Sequence, residues 1–175
     1  MSTTHDIILV NEMDEQVGTM EKMEAHEKGI LHRAFSVFIF DSSNNILLQQ
    51  RAYGKYHSSG LWTNACCSHP KPGESIEAAA HRRLQEELGF DTKLEKAFTF
   101  TYKAHFDNGL TEYEYDHVFI GHYEDPIQFN EQEVNAIKYI PLDLLKLELD
   151  ENPDHFTEWF KIAMPQLDMW LSSQA

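Results

Sequence analysis

Cysteine is almost missing from this chain, and the little there is cannot staple it. Cys66 and Cys67 are the only two and they are neighbours, so the long-range disulfides that hold small secreted domains together are closed to them. A reducing, cytoplasmic setting is expected. Long apolar runs are lacking too: no stretch reaches the roughly 18 apolar residues of a membrane span. Met1 to Asn11 lacks the basic flank and cleavage site of a secretory leader, so no membrane partner is expected. Basic residues are scarce, 14 against 29 acidic ones, for a formal net charge of -15. Nucleic acid is therefore not an expected partner, because a phosphate backbone is bound by clustered Lys and Arg. A small anion stays possible, since a few cations can converge locally inside an acidic protein. Repeats and Pro/Gly/Ser linkers are also absent, so residues 1–175 read as one domain, with 42% apolar residues to fill a core. Ten histidines in so acidic a chain raise the question of metal.

The chain alternates strand and helix patterns. Asp6 to Val10 is a short apolar run. Ala34 to Phe40 and Ile46 to Gln50, joined across Asp41 to Asn45, predict a hairpin in a half-buried sheet. Ser75 can cap a helix over 75–88 in which Ile76, Ala79, Ala80, Leu84 and Leu88 recur at helical spacing, with Gly89 as its C-terminal cap. Leu94 to His105 and Leu110 to His122 flank Asn108-Gly109, a tight-turn pair, and predict a second hairpin. Glu133 to Tyr139 reads as another strand, and Pro141 to Leu149 and Asp154 to Leu171 as helices. Helices on either side of a mixed sheet make a layered α/β/α domain.

Ser68 to Phe90 resembles the Nudix box, G-x5-E-x7-R-E-U-x-E-E-x-G-U, a loop-helix-loop in which U is bulky and apolar. Glu74, Arg82, Leu84, Glu86, Glu87, Gly89 and Phe90 fall on the pattern. Ser68 replaces its first glycine and Arg83 its first helical glutamate. A solvated helix face would also carry Arg and Glu at i, i+3 and i+4, but not seven positions in this register. In hydrolases of the superfamily those glutamates gather Mg²⁺ around a diphosphate. An arginine among them weakens the cluster and adds a cation, as suits a site that holds phosphate rather than cutting it.

Three further stretches narrow the resemblance: LHRAFS at 31–36, LWTNACCSHP at 61–70, and EYEYD at 112–116. With the Nudix-like helix they are similar to the type 1 isopentenyl-diphosphate isomerases, over about Asp6 to Trp159. The resemblance implies an α/β Nudix-type sandwich that interconverts isopentenyl and dimethylallyl diphosphate for isoprenoid synthesis. It also implies a monomer or weak dimer with a small prenyl diphosphate substrate. A Mg²⁺-dependent Nudix diphosphate hydrolase is the alternative, and a zinc-stabilised binding module is a third reading.

The residues support the match on their own chemistry. Glu112 and Glu114 are two apart in an expected strand, so both project to one face and repel unless a cation or solvent lies between. Imidazoles and carboxylates together suit a divalent ion such as Zn²⁺, Mn²⁺ or Mg²⁺. The resemblance places that ion on His26, His32, His69, Glu112 and Glu114. His26 sits in the weakly constrained Glu24 to Glu27, and Asp116 reads as lying behind the ligands or in solvent. A second Mg²⁺, bound with the diphosphate, is implied at Glu87. Cys67 maps onto the catalytic cysteine and Glu114 onto the catalytic glutamate, with Cys66 a bystander. Protonation is implied from the glutamate side with help from Tyr102, and proton removal by a Cys67 thiolate. Lys22, Arg51, Lys55 and Arg83 are the implied diphosphate cations. Trp159 resembles the tryptophan that lies over the substrate, where a ring stabilises a carbocation, but it equally fits an amphipathic helix packed on the sheet. Trp62 reads as core.

Overall fold

A computed structural model describes residues 5–55 and 57–174. In chain order the elements are β1 (Asp6–Val10), β2 (Gln16–Glu21), α1 (Lys22–Lys28), β3 (His32–Phe40), β4 (Asn45–Arg51), β5 (Trp62–Thr63), β6 (Cys66–Ser68), α2 (Ile76–Leu88), β7 (Leu94–His105), β8 (Thr111–His122), β9 (Val134–Pro141), α3 (Leu142–Glu151) and α4 (Glu158–Ser173). Among the described residues no helix is long and apolar enough to cross a membrane.

The sheet is mixed, and β3 is its centre. It runs parallel to β8 from His32↔Glu114 to Phe40↔His122, and antiparallel to β6 through Ser36↔Cys67. β7 and β8 form the expected antiparallel hairpin. The expected pairing of β3 with β4 is confined to Phe40↔Ile46; β4 instead pairs along its length with β9. The half-buried character expected of β3 is also corrected. Helices cover both faces, so nearly every one of its residues is buried. Phe38 and Phe40 pack with Trp159, Phe160, Ala163 and Leu167 of α4, whereas Phe35, Val37 and Ile39 pack with Ala79, Ala80, Leu84 and Leu88 of α2. The period of two along one strand thus feeds two cores.

Helix α2 forms as its spacing predicts. The Ser75 side chain accepts from the Ala78 amide, and Gly89 at φ 71° ends the helix with its amide bonded to the Gln85 carbonyl. The last helix begins at Glu158 rather than Asp154. Residues 153–155 form one 3-10 turn, and extended Thr157 donates its amide to the Trp62 carbonyl at 3.0 Å. The Thr157 hydroxyl, 3.0 Å from that of Thr63, and its cap on Phe160 then fix the start of α4 against the sheet.

A histidine and carboxylate centre beside a small cavity

The strand register assembles the site. Glu114 is paired with His32 on one side and with Tyr102 on the other, and paired residues on neighbouring strands share a face. The three side chains therefore meet: His32 Nε2 lies 3.1 Å and the Tyr102 hydroxyl 2.6 Å from the Glu114 carboxylate. His69 arrives from the segment after β6, with Nε2 2.8 Å from Glu114 Oε2. His26 arrives from α1, with Nε2 3.6 Å from Glu112 Oε2. The Tyr102 hydroxyl also bonds Oε1 of Glu112, so one phenol bridges both carboxylates.

Ligand atoms of His26, His32, His69 and Glu114 all lie within 4.8 Å of one another. The donor chemistry fits a divalent cation. His32 Nδ1 is 2.9 Å from the Ile30 carbonyl and His26 Nδ1 is 2.7 Å from that of Lys22. Only an N–H satisfies a carbonyl, so each neutral ring turns the lone pair of Nε2 toward a carboxylate oxygen. A cation between them reconciles two acceptors that would otherwise repel. Burial opposes the alternative of charging the rings: it pulls His69 down to about 4, against its Glu114 hydrogen bond, and it lowers His57. His26 is raised, because its bonds to Glu112 and to the Lys22 carbonyl outweigh burial.

The carboxylates divide into two kinds. Burial would raise Glu114, but its hydrogen bonds to His32 and His69 outweigh burial and hold it well below the usual range. Glu112 is lowered to about 2 against burial and the charge of Glu114, mainly by His26 and His57. Asp116 goes the other way, pushed well up by burial and by Glu114. It is not solvated: it is 1% exposed and accepts from the Ser36 hydroxyl at 2.8 Å. That hydroxyl is 3.4 Å from Cys67 Sγ, which also donates to Asn64 Oδ1 at 3.0 Å. Burial, then the charge of Asp116, pushes the Cys67 thiol well up, so its resting form is the thiol rather than the thiolate. Burial and both glutamates likewise keep the proton on Tyr102.

Cys67, Tyr102, Glu112, Glu114, His69, Arg51 and Trp159 wall one cavity of about 30 Å³, room for roughly one water molecule. Trp159 is 4% exposed, packs in the core, and turns its ring to this cavity under the Arg51 guanidinium at 5.2 Å. A polar pocket of about 210 Å³ shares Ser68 and His69 with it and is lined by Lys22, Lys71, Arg82, Arg83 and Glu133. Lys22 is lowered by burial and then by Lys55, Arg51 and Arg83, so the four expected cations do converge. Arg83 is held by Glu133 and Glu86 at 2.6 Å and by Glu87 at 2.9 Å, and Lys55 lies 3.7 Å from Glu133. Glu87 stands apart from the imidazoles. Its carboxylate meets Arg83, Gln49 at 3.0 Å and Cys66 Sγ at 3.4 Å, and Cys66 points into the α2 core. A larger hollow, about 470 Å³ between α3 and α4, pairs Lys146 with Asp168 and carries no imidazole or thiol.

Two residues of the site escape sequence reasoning. His57, 6% exposed, lies with Nε2 3.2 Å from Glu112 Oε2 and lines the small cavity. Glu133 binds two of the expected cations. His57 sits in no motif or periodic segment and Glu133 only opens an expected strand; their contacts in the fold single them out.

Residues 30–160 match the NUDIX domain family model. The chain is similar to isopentenyl-diphosphate Delta-isomerase 2 of Photorhabdus laumondii, 52% identical with 89% of this chain and 88% of that protein covered. It is likewise similar to the isopentenyl-diphosphate Delta-isomerase of Pectobacterium atrosepticum, 48% identical over 94% and 93%. Among solved structures, a Deinococcus radiodurans protein shares the fold with a TM-score of 0.71 at 18% identity, over 85% of this chain and 90% of that one.

Proposed function

Since the chain belongs to the isopentenyl-diphosphate Delta-isomerase family on a Nudix fold, we propose that Cys67, Tyr102 and Glu114 move the two protons of its reaction. The enzyme interconverts isopentenyl and dimethylallyl diphosphate, a small prenyl diphosphate pair, and uses a divalent metal.

One observation carries the assignment: a half-buried thiol and a buried carboxylate wall a single cavity of about 30 Å³, with room for roughly one water molecule. The reaction adds a proton at C4 and removes one from C2, passing through positive charge at C3. An alkene is a weak base, so the acid must touch it with water shut out. Cys67 and Glu114 serve as donor and acceptor, exchanging roles when the direction reverses. The thiol enters the cycle protonated, held so by burial and Asp116, and Tyr102 shares its hydroxyl proton with the carboxylates. The Trp159 ring faces the developing cation.

His26, His32, His69, Glu112 and Glu114 would hold the metal, which supplies positive charge beside Glu114 and fixes its carboxyl orientation. Lys22, Arg51, Lys55 and Arg83 take the diphosphate, Arg by its planar fork and Lys as a point charge. Glu87 is the carboxylate we assign to the Mg²⁺ that accompanies it. A monomer or weak dimer is the working form we propose. The hydrolase alternative is weaker, because Arg83 replaces one glutamate of the Nudix cluster.

Cys67→Ala tests the assignment. Isomerisation should fall by about 10²–10⁴-fold while metal content stays unchanged. Undiminished isomerisation in that variant would remove Cys67 from the reaction.

A further inference from the structure

The two carboxylates of the centre share one hydroxyl, and each has two imidazoles beside it. Glu114 gives Oε1 to the Tyr102 hydroxyl and Oε2 to two imidazoles, His32 at 3.1 Å and His69 at 2.8 Å. Glu112 gives Oε1 to the same hydroxyl, and its Oε2 lies 3.6 Å from His26 Nε2 and 3.2 Å from His57 Nε2. His26, His57 and Glu112 bring one ligand atom each within 4.8 Å of the others, all three side chains buried. This donor set meets the first at His26.

His57 is also held as ligating imidazoles are held. Its Nδ1 lies 3.2 Å from the Ser58 hydroxyl, which can take the ring N–H and leave Nε2 as a lone pair 3.2 Å from Glu112 Oε2. The ring lies flat on Phe106, with centroids 4.4 Å apart and planes 9° from parallel, and meets Trp159 edge-on at 5.6 Å. It cannot swing away without leaving both Phe106 and Trp159.

We propose that His57 is a metal ligand of this centre, adding a fourth imidazole through Nε2 beside His26 and Glu112. The inference rests on the metal reading given under Proposed function. A fourth nitrogen donor favours Zn²⁺ over the oxygen-seeking Mg²⁺, and it ties the cation to the ring packed on Phe106 and Trp159.

The test loads the protein, labelled with ¹⁵N at the histidine rings, with ¹¹³Cd²⁺ and counts ring nitrogens split by one-bond coupling to the metal. Four split nitrogens are expected in the native protein. One of them should vanish in His57→Gln, whose amide can still hold Glu112, and that variant should show a reduced preference for Zn²⁺ over Mg²⁺. Three split nitrogens in the native protein, all retained in His57→Gln, would overturn the inference while leaving the metal centre standing. No split nitrogen at all would remove both, and the native spectrum decides without any variant needing to fold.

Discussion

His69 Nε2 lies 2.8 Å from Glu114 Oε2, joining the segment before α2 to the strand β8 across 45 residues of sequence. Burial nevertheless keeps this imidazole neutral down to about pH 4, against 6.5 in an unfolded chain. The unfolded chain therefore takes up a proton between those values that the folded protein refuses, and acid favours unfolding. Above about 6.5 both states are neutral and the group contributes nothing. The chelated protein should lose up to roughly 3 kcal/mol as pH falls from 7 to 4, offset in part by His26, whose shift has the opposite sign. Urea midpoints at pH 7 and pH 5 check this. His69→Gln should flatten the difference; an unchanged slope in that variant would assign the acid sensitivity elsewhere.

Tyr102→Phe removes the one hydroxyl shared by Glu112 and Glu114. Turnover should drop by about 10²–10⁴-fold if that proton serves the reaction, and metal affinity by about 10–100-fold through loss of carboxylate orientation. Competition with a chromophoric chelator reads the second effect separately from the first. A variant normal in both would show the bridge to be idle.

Arg83→Gln should raise KM for the diphosphate substrate by about 10–100-fold, the worth of a charged hydrogen bond, with kcat within a few-fold. It also leaves Glu86, Glu87 and Glu133 without their common cation, so a small loss of thermal stability should accompany it. A fall in kcat at unchanged KM would mean that Arg83 does not hold substrate.

Much of this was legible in the residues. Helix α2 announced itself because capping, period and terminal glycine agreed. The Glu112/Glu114 pair could be placed on one face from strand period alone. What the sequence could not show is which strands lie side by side. β3 and β8 are parallel and far apart in the chain, so the meeting of His32 with Glu114 follows from topology, not spacing. The tie between Phe156-Thr157 and Trp62, which delays α4, is likewise a tertiary event. His57 lies in the irregular stretch between β4 and β5, where no period acts, and α1 is too short for its seven residues to display one. The resting thiol of Cys67 follows from its own desolvation and then from Asp116, and only the fold reveals either.

Metal removal tests how far the centre holds the fold together. Two carboxylates and several imidazoles converge there, so a saturating divalent ion at about 1,000 times its Kd should stabilise the protein by about 4 kcal/mol. Melting with excess Zn²⁺ and with chelator should differ clearly in the native protein and hardly at all in His32→Ala. Equal melting temperatures in the native protein would count against a site at these residues.

The most direct measurement is turnover of isopentenyl diphosphate in deuterated water with Mg²⁺ and trace Zn²⁺, followed by NMR. The account predicts dimethylallyl diphosphate carrying deuterium at the carbon that was C4, since protons enter and leave at carbon. Release of inorganic phosphate or of isopentenyl monophosphate, with no deuterium in the carbon skeleton, would contradict it and make the site a hydrolase.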